Sequence, residues 1–161
     1  MKHIKSERGQ SLVELGISLA ILIFLLAGAV EFGMAFFQFV QLRDAAQEGA
    51  LYGSMNPNQV STIEARIRGS SNSPIELASS DVRITITIDG YLPSDPNYDN
   101  IDCEGHGLEV LVEYDHQIFM PFIPAFIGRS DIPLNASVTD TILSPITPSA
   151  GGSCPPPPPY P

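Results

Sequence analysis

Residues 8–14 read Arg-Gly-Gln-Ser-Leu-Val-Glu, and an uncharged, mostly apolar run follows from Leu15 to Val30. At about 1.5 Å per residue, a helix from Leu12 to Val30 is roughly 29 Å long, close to the thickness of one hydrocarbon core. A secretory signal peptide has a shorter apolar core that ends at a small-x-small cleavage site. Here Glu31 and a second apolar stretch follow the run, so the sequence favours a retained membrane anchor.

The charges that flank the apolar run predict its orientation. Lys2, Lys5 and Arg8 precede the run, and basic residues are enriched on the cytoplasmic side of membrane spans. We therefore expect the N-terminus in the cytoplasm and everything after Val40 outside. The whole chain has a net charge of −10, which disfavours binding to nucleic acid and to anionic lipid headgroups.

No proline precedes Pro57, so the sequence permits one continuous helix from about Ser11 to Tyr52, roughly 63 Å long. Its first half is apolar on all sides, whereas its second half is amphipathic. In that half we expect an inward face of Val40, Ala45, Ala46, Ala50 and Tyr52, and an outward face of Gln41, Arg43, Asp44, Gln47 and Glu48. The pairs Gly53-Ser54 and Asn56-Pro57 predict the end of the helix.

A small α+β domain is predicted after the long helix. A short helix is expected from Asn58, and apolar residues then alternate with polar ones in the three segments Val82–Ile88, Leu108–Tyr114 and Ile132–Val138. A three-stranded sheet with one apolar face needs a cover. We therefore expect an antiparallel sheet of roughly three strands, packed on the outer half of the long helix.

Two acids lie within or beside the apolar run. Glu14 has two interpretations: it lies at headgroup level, where the helix dipole favours an acid, or its carboxylate has a functional partner. The second interpretation follows because an unpaired charge at membrane depth is costly. Glu31 is expected to mark the outer headgroup boundary, with pairing to a cation of another subunit as the alternative.

The loop from Asp89 to Glu104 is acidic and invites comparison with calcium-binding loops. Asp95, Asn97 and Asp99 have the alternating spacing of oxygen ligands. The sixth and twelfth positions lack the Gly and Glu that an EF-hand requires. We expect a solvated loop, with calcium in a different geometry as the alternative.

The sequence carries no pattern that is typical of an enzyme. No serine lies in a nucleophile elbow, and neither a phosphate-binding glycine loop nor a dinucleotide fingerprint occurs. The histidines, His3, His106 and His116, do not form a recognisable site. We therefore expect that the protein is not an enzyme and binds no cofactor and no metal.

The two cysteines, Cys103 and Cys154, both follow the anchor. In an oxidising compartment they could close a loop of about 50 residues, worth about 4 kcal/mol in the chain-entropy description. The sequence leaves this disulfide open, because Cys154 lies in the proline-rich tail. The run Pro155–Pro159 favours polyproline II, so residues 145–161 are expected to be solvated and disordered, with a proline-binding partner as the alternative.

The N-terminal motifs resemble those of a known superfamily. Gly9, the basic residues before it and Glu14 after it resemble the class III signal of type IV pilin-like proteins. The blocks Val30–Gly33 and Gln41–Ala50 resemble the TadE-like pseudopilins of the tight-adherence (Tad) pilus system. The resemblance extends over about residues 8–142, through Leu108–Tyr114, Pro121, Pro124 and Leu134–Val138.

This resemblance implies a minor, structural component of pilus assembly. A prepilin peptidase would cut after Gly9 and expose the amine of Gln10, and Glu14 would pair with the N-terminal amine of a neighbouring subunit. Removal of the leader would take the net charge from −10 to about −12. The implied partners are other pilins or pseudopilins, the prepilin peptidase, and the inner-membrane assembly platform and ATPase.

The predicted organisation has five parts: a leader at 1–9, a membrane and assembly helix at 10–40, the outer half of that helix at 41–56, the α+β domain at 57–144 and the tail at 145–161. We expect a single-pass protein of the cytoplasmic membrane, with its C-terminal domain outside the cytoplasm. The rival interpretation is a signal-anchored binding or adhesion module that keeps its leader and never enters a filament.

Overall fold

The computed structural model describes residues 7–120, 123–143 and 153–159. Its elements in chain order are α1 (Glu7–Met55), α2 (Val60–Gly69), β1 (Arg83–Ile88), a 3₁₀ turn (Tyr98–Asn100), β2 (Gly107–Gln117), α3 (Ile123–Ile127) and β3 (Asp131–Thr141). The α+β class is confirmed, as is the long N-terminal helix followed by a small sheet. Most of the leader and part of the proline-rich tail lie outside the described residues.

Helix α1 is continuous over 49 residues. Its most apolar window is not buried by the rest of the chain, and its length and composition suit a membrane span. The helix does not end at Gly53-Ser54 as expected, because both residues are buried inside it. It ends at Met55, two residues before Pro57, whose ring cannot continue a helix.

The outer half of α1 packs against the rest of the chain as predicted, with two exceptions. Ala45, Ala46 and Ala50 are buried, and so is Leu42, which was not among the residues expected to face inward. Gln41 was expected outward but is also buried. Its side-chain amide donates to the carbonyl of Ile75 at 2.8 Å and accepts from the N–H of Ile75 at 2.8 Å. An amide whose hydrogen bonds are satisfied in this way is compatible with burial.

The sheet has the order β1-β2-β3, and both pairings are antiparallel. Strand β2 is central, and Val110 lies opposite Ile86 on one side and opposite Val138 on the other. The predicted strands are confirmed, but β2 continues three residues beyond Tyr114. This extension carries the inward-facing alternation of β2 on to His116, which is buried.

Candidate functional site

The expected processing site lies at the start of α1. Gly9 and Gln10 are exposed and fall within the first helical turn, since α1 begins at Glu7. The N–H groups of a first turn have no partners inside the helix, so this turn is the part of α1 that unwinds most readily. The remaining leader residues, 1–6, lie outside the described part of the chain.

Glu14 is exposed on an otherwise apolar helix surface. Its neighbours Leu12 and Leu15 are 69% and 64% exposed. Within the residues that the structure describes, the Glu14 carboxylate has neither a hydrogen bond nor an ion pair. A charge within a membrane-spanning helix needs a partner, and the described part of its own chain does not supply one for Glu14.

Glu31 has the opposite environment, because its carboxylate is enclosed by its own chain. Its side chain is 4% exposed, and that of His116 is 1% exposed. His116 Nε2 lies 2.9 Å from Glu31 Oε1, the N–H of Phe119 donates to Oε1 at 3.1 Å, and the N–H of Met120 donates to Oε2 at 3.2 Å. The alternative expectation for Glu31, pairing with a cation of another subunit, is therefore wrong, because its own chain supplies the partners. Its place at the outer headgroup boundary stays a prediction.

The partner of Glu31 was missed because the predicted strand stopped at Tyr114. The signal was present, since every second residue of β2 from Leu108 faces α1, and this alternation reaches His116. A buried carboxylate that keeps three hydrogen bonds avoids most of the penalty of an unpaired charge. The contact thus fixes the end of β2 to α1, one residue beyond the apolar run.

Two buried polar atoms near this level of the fold have no hydrogen-bond partner among the described residues. They are Oε1 of Gln38 on α1 and Nδ1 of His116. Buried polar atoms are usually paired, so these two atoms mark the least satisfied part of the interface between helix and sheet.

Cys103 and Cys154 lie at bonding distance, with their sulfurs 2.09 Å apart and their Cα atoms 6.3 Å apart. A second contact follows in the tail, where His106 Nε2 donates to the carbonyl of Pro155 at 3.1 Å. His106 is itself held by the carboxylate of Asp89. Residues 153–159 form no helix or strand, and their side chains are exposed.

The acidic loop uses its side chains locally. Asp95 Oδ1 accepts from the backbone N–H of Asn97 at 2.8 Å and from its side-chain amide at 3.0 Å. Asp89 accepts from the N–H of Gly107 at 2.9 Å. Across the described residues, no group of three or more His, Cys, Asp or Glu side chains is arranged to hold a metal ion.

Tyr98, in the 3₁₀ turn, is buried in the same part of the domain. Its hydroxyl donates to the carbonyl of Pro57 at 3.4 Å. Burial raises the pKa of Tyr98 to about 12, and the nearby carboxylates of Asp102 and Asp99 act in the same direction. The phenol is therefore a structural donor at neutral pH.

The family model described as TadE-like protein matches residues 9–51. No curated protein and no solved structure matches the chain significantly. The matched segment contains Gly9, Glu14, Glu31 and the buried face of α1, but not the sheet, so the resemblance of Leu108–Val138 stays a prediction. The family is structural rather than catalytic, and pilin-like proteins associate with membranes and with other pilus components. The segment that forms most of α1, residues 9–51, is therefore similar to TadE-like proteins.

Proposed function

We propose that this protein is a minor pilin-like component, a pseudopilin, that acts in the assembly of a Tad-type pilus. The TadE-like match over α1 supports this proposal. The observation that carries it is the environment of Glu14, which is exposed on an apolar helix without a partner among the described residues. Because the described part of its own chain supplies no partner, we infer that a pilin-type neighbour supplies the positive charge.

The proposed mechanism begins with cleavage after Gly9 by a prepilin peptidase. The cut exposes the α-amine of Gln10, which is a positive charge near membrane depth. The carboxylate of Glu14 on an adjacent subunit neutralises this amine. Each charge alone is costly in lipid, so their pairing favours one axial register between neighbouring helices.

The partners follow from this mechanism. They are other pilins or pseudopilins, the peptidase, and the assembly platform and ATPase of the inner membrane. The basic residues that precede the anchor favour a cytoplasmic N-terminus and an extracytoplasmic sheet domain. In this role the protein contributes contacts to an assembly and performs no chemistry.

The state of the N-terminus tests the first step. Mass spectrometry of the protein purified from its native host is expected to find Gln10 as the first residue, as a free, methylated or cyclised N-terminus. An intact Met1 in all of the membrane-bound protein would contradict the proposal.

The variant Glu14→Gln tests the second step. It removes the charge but keeps the size of the side chain, so it should insert in the membrane and fail to co-assemble with pilins. Glu48→Gln is the matched control, since Glu48 is an exposed acid on the outer half of the same helix. Cross-linking to neighbouring pilins and counts of surface pili are the measurements, and wild-type values for Glu14→Gln would remove the pairing mechanism.

The alternative is a signal-anchored binding or adhesion module that stays out of filaments. The observation that favours it is the extent of the family match, which covers residues 9–51 and does not include the sheet domain. This alternative would be established by an uncut leader in the native host together with wild-type pilus assembly for Glu14→Gln.

A further inference from the structure

An apolar groove lies where the sheet meets the anchor. Its volume is about 430 Å³, and α1, α3 and β3 form its walls, chiefly through Phe32, Phe36, Ile123, Ile127, Ile132 and Leu134. We propose that lipid acyl chains fill this groove, from the membrane leaflet on the side of the sheet domain. This end of the domain is then embedded in the leaflet and does not stand clear of it.

The position of the groove along α1 is the first argument. Its lining begins at Gly28, inside the apolar run, and continues to Phe39, a distance of roughly 16 Å along the helix. A helix from Leu12 to Val30 already fills about one hydrocarbon core, so the groove begins at the border of that core. Because its lining begins at Gly28, inside the apolar run, the groove is continuous with the lipid-facing anchor at that end.

The exposed side chains around the groove are the second argument. Phe32 is 72% exposed, Phe119 is 70% exposed and Ile127 is 50% exposed. They belong to three different segments, α1, the chain after β2, and α3, which together form one end of the domain. A large apolar patch exposed to water is unusual, whereas Phe and Ile side chains are favourable in the hydrocarbon of a membrane.

The charge distribution is the third argument. Glu31 is the only formal charge from Leu15 to Leu42. His116 and the backbone N–H groups of Phe119 and Met120 surround it. Because the chain itself satisfies this carboxylate, lipid can surround α1 at this level without meeting an unpaired charge. The groove thus suits apolar chains and does not require anionic headgroups.

Fluorescence can test the contact, because the chain has no tryptophan. The full-length variants Phe119→Trp and Ile127→Trp are reconstituted singly, at low protein content, in phosphatidylcholine vesicles. Leu92→Trp is the matched control, since Leu92 is 48% exposed and lies at the other end of the sheet from His116. It follows the end of β1, which pairs with the start of β2. Leu22→Trp, at an exposed position within the span, reports insertion of the anchor.

The proposal predicts blue-shifted emission at Phe119→Trp and Ile127→Trp. It also predicts several-fold stronger quenching than for Leu92→Trp, by lipids brominated near the headgroup end of their chains. Emission and quenching equal to those of Leu92→Trp at both positions would overturn it. A blue shift without quenching would also overturn it, because a protein neighbour then fills the groove.

The proposal rests on the membrane anchor and not on filament entry. Absence of quenching at Leu22→Trp would refute the anchor, and the lipid contact with it. The experiment uses the uncut chain in vesicles. Its outcome therefore does not depend on whether the leader is cleaved or on whether Glu14→Gln impairs pilus assembly. Failure of the lipid contact and failure of the pilin role are therefore distinguishable.

Discussion

At the scale of single residues, the two acids of the anchor differ in where their partners come from. The partners of Glu31 are in its own chain, on the segment from His116 to Met120. Glu14 has none among the described residues. The same physical requirement, that a carboxylate in an apolar environment be paired, therefore produces a fixed internal contact in one case and a proposed contact between subunits in the other.

The internal contact predicts a large effect of His116→Phe. This substitution keeps a ring of similar size but removes the Nε2–H donor, so the buried carboxylate of Glu31 loses a partner. We expect the free energy of unfolding to fall by about 3 kcal/mol. Glu31→Gln should cost less, about 1 kcal/mol, because its amide oxygen still accepts from the backbone. Denaturant unfolding of the detergent-solubilised chain measures both, and an unchanged His116→Phe midpoint would contradict the prediction.

Tyr98 predicts a loss of stability at alkaline pH. Its pKa is raised to about 12 in the folded domain, above the value of about 10 in an unfolded chain. The folded state therefore holds the phenolic proton more tightly, so this contribution to stability is complete below about pH 10 and is lost as the pH rises toward 12. Tyr98→Phe should flatten this part of the stability–pH curve, whereas Tyr91→Phe, at an exposed position, should not. Unfolding at several pH values, together with tyrosinate absorbance, tests the difference.

At the scale of elements, small residues on α1 let two other elements approach it closely. A Cβ on Gly49 would lie 2.5 Å from Cγ1 of Ile67 in α2, and a Cβ on Gly53 would lie 2.8 Å from Cδ2 of Leu108 in β2. Both separations are shorter than van der Waals contact, so each glycine has a packing role inside the helix. This explains why Gly53 does not act as a helix terminator.

We therefore expect Gly49→Ala to destabilise the domain, although alanine is the better helix former. The helix gains about 1 kcal/mol from the substitution, while overpacking against Ile67 costs about 1–3 kcal/mol. The net loss should be about 1 kcal/mol. Gly69→Ala is the control, since its new methyl group would meet nothing within 4 Å and should be neutral or stabilising. Thermal unfolding of both variants measures the difference, and equal shifts of their unfolding midpoints would contradict a packing role for Gly49.

The helices and strands were predictable where a single pattern of apolar residues dominates the segment. The strands follow from strict alternation in segments such as Val82–Ile88, and the anchor follows from its length. Gln41 was misplaced because its burial depends on a hydrogen-bonding partner, Ile75, that is distant in the sequence. The Glu31–His116 contact was missed because the predicted strand stopped at Tyr114, while the strand continues through pairing with β3. A tertiary partner, which no local pattern contains, decided the case of Gln41, whereas the alternation that reaches His116 was present in the sequence.

At the scale of the whole molecule, the chain joins an anchor suited to lipid with a domain suited to water. Strand β2 begins at Gly107, beside the acidic loop, and ends at Gln117, one residue after His116, beside the anchor. The Glu31–His116 contact therefore ties the domain to the helix close to the proposed lipid border. Beside the opposite end of β2, the sulfurs of Cys103 and Cys154 lie at bonding distance.

The pair Cys103–Cys154 is expected to stabilise the domain as a disulfide. The cysteines are 51 positions apart, and the loop between them contains β2, α3 and β3. In the chain-entropy description, a crosslink of this span stabilises the folded state by about 4 kcal/mol. Cys154→Ser should remove up to this amount and release the tail, while Glu31–His116 still holds the other end of the sheet. The variant Cys154→Ser is preferred over Cys103→Ser, because Cys154 is exposed. Cys103 is fully buried, so a serine there would add an unpaired hydroxyl to the core.

Two measurements check this prediction in protein prepared without reductant. Thiol titration of the unfolded wild-type chain should find no free cysteine, and Cys154→Ser should expose one thiol only on unfolding. The unfolding midpoint of the wild type should fall on reduction, whereas that of Cys154→Ser should not respond. Two free thiols in the wild-type protein, or equal midpoints for wild type and variant, would show that the tail is not covalently tied. In that case only the His106–Pro155 hydrogen bond and nearby tail contacts would remain to hold the tail against the acidic loop.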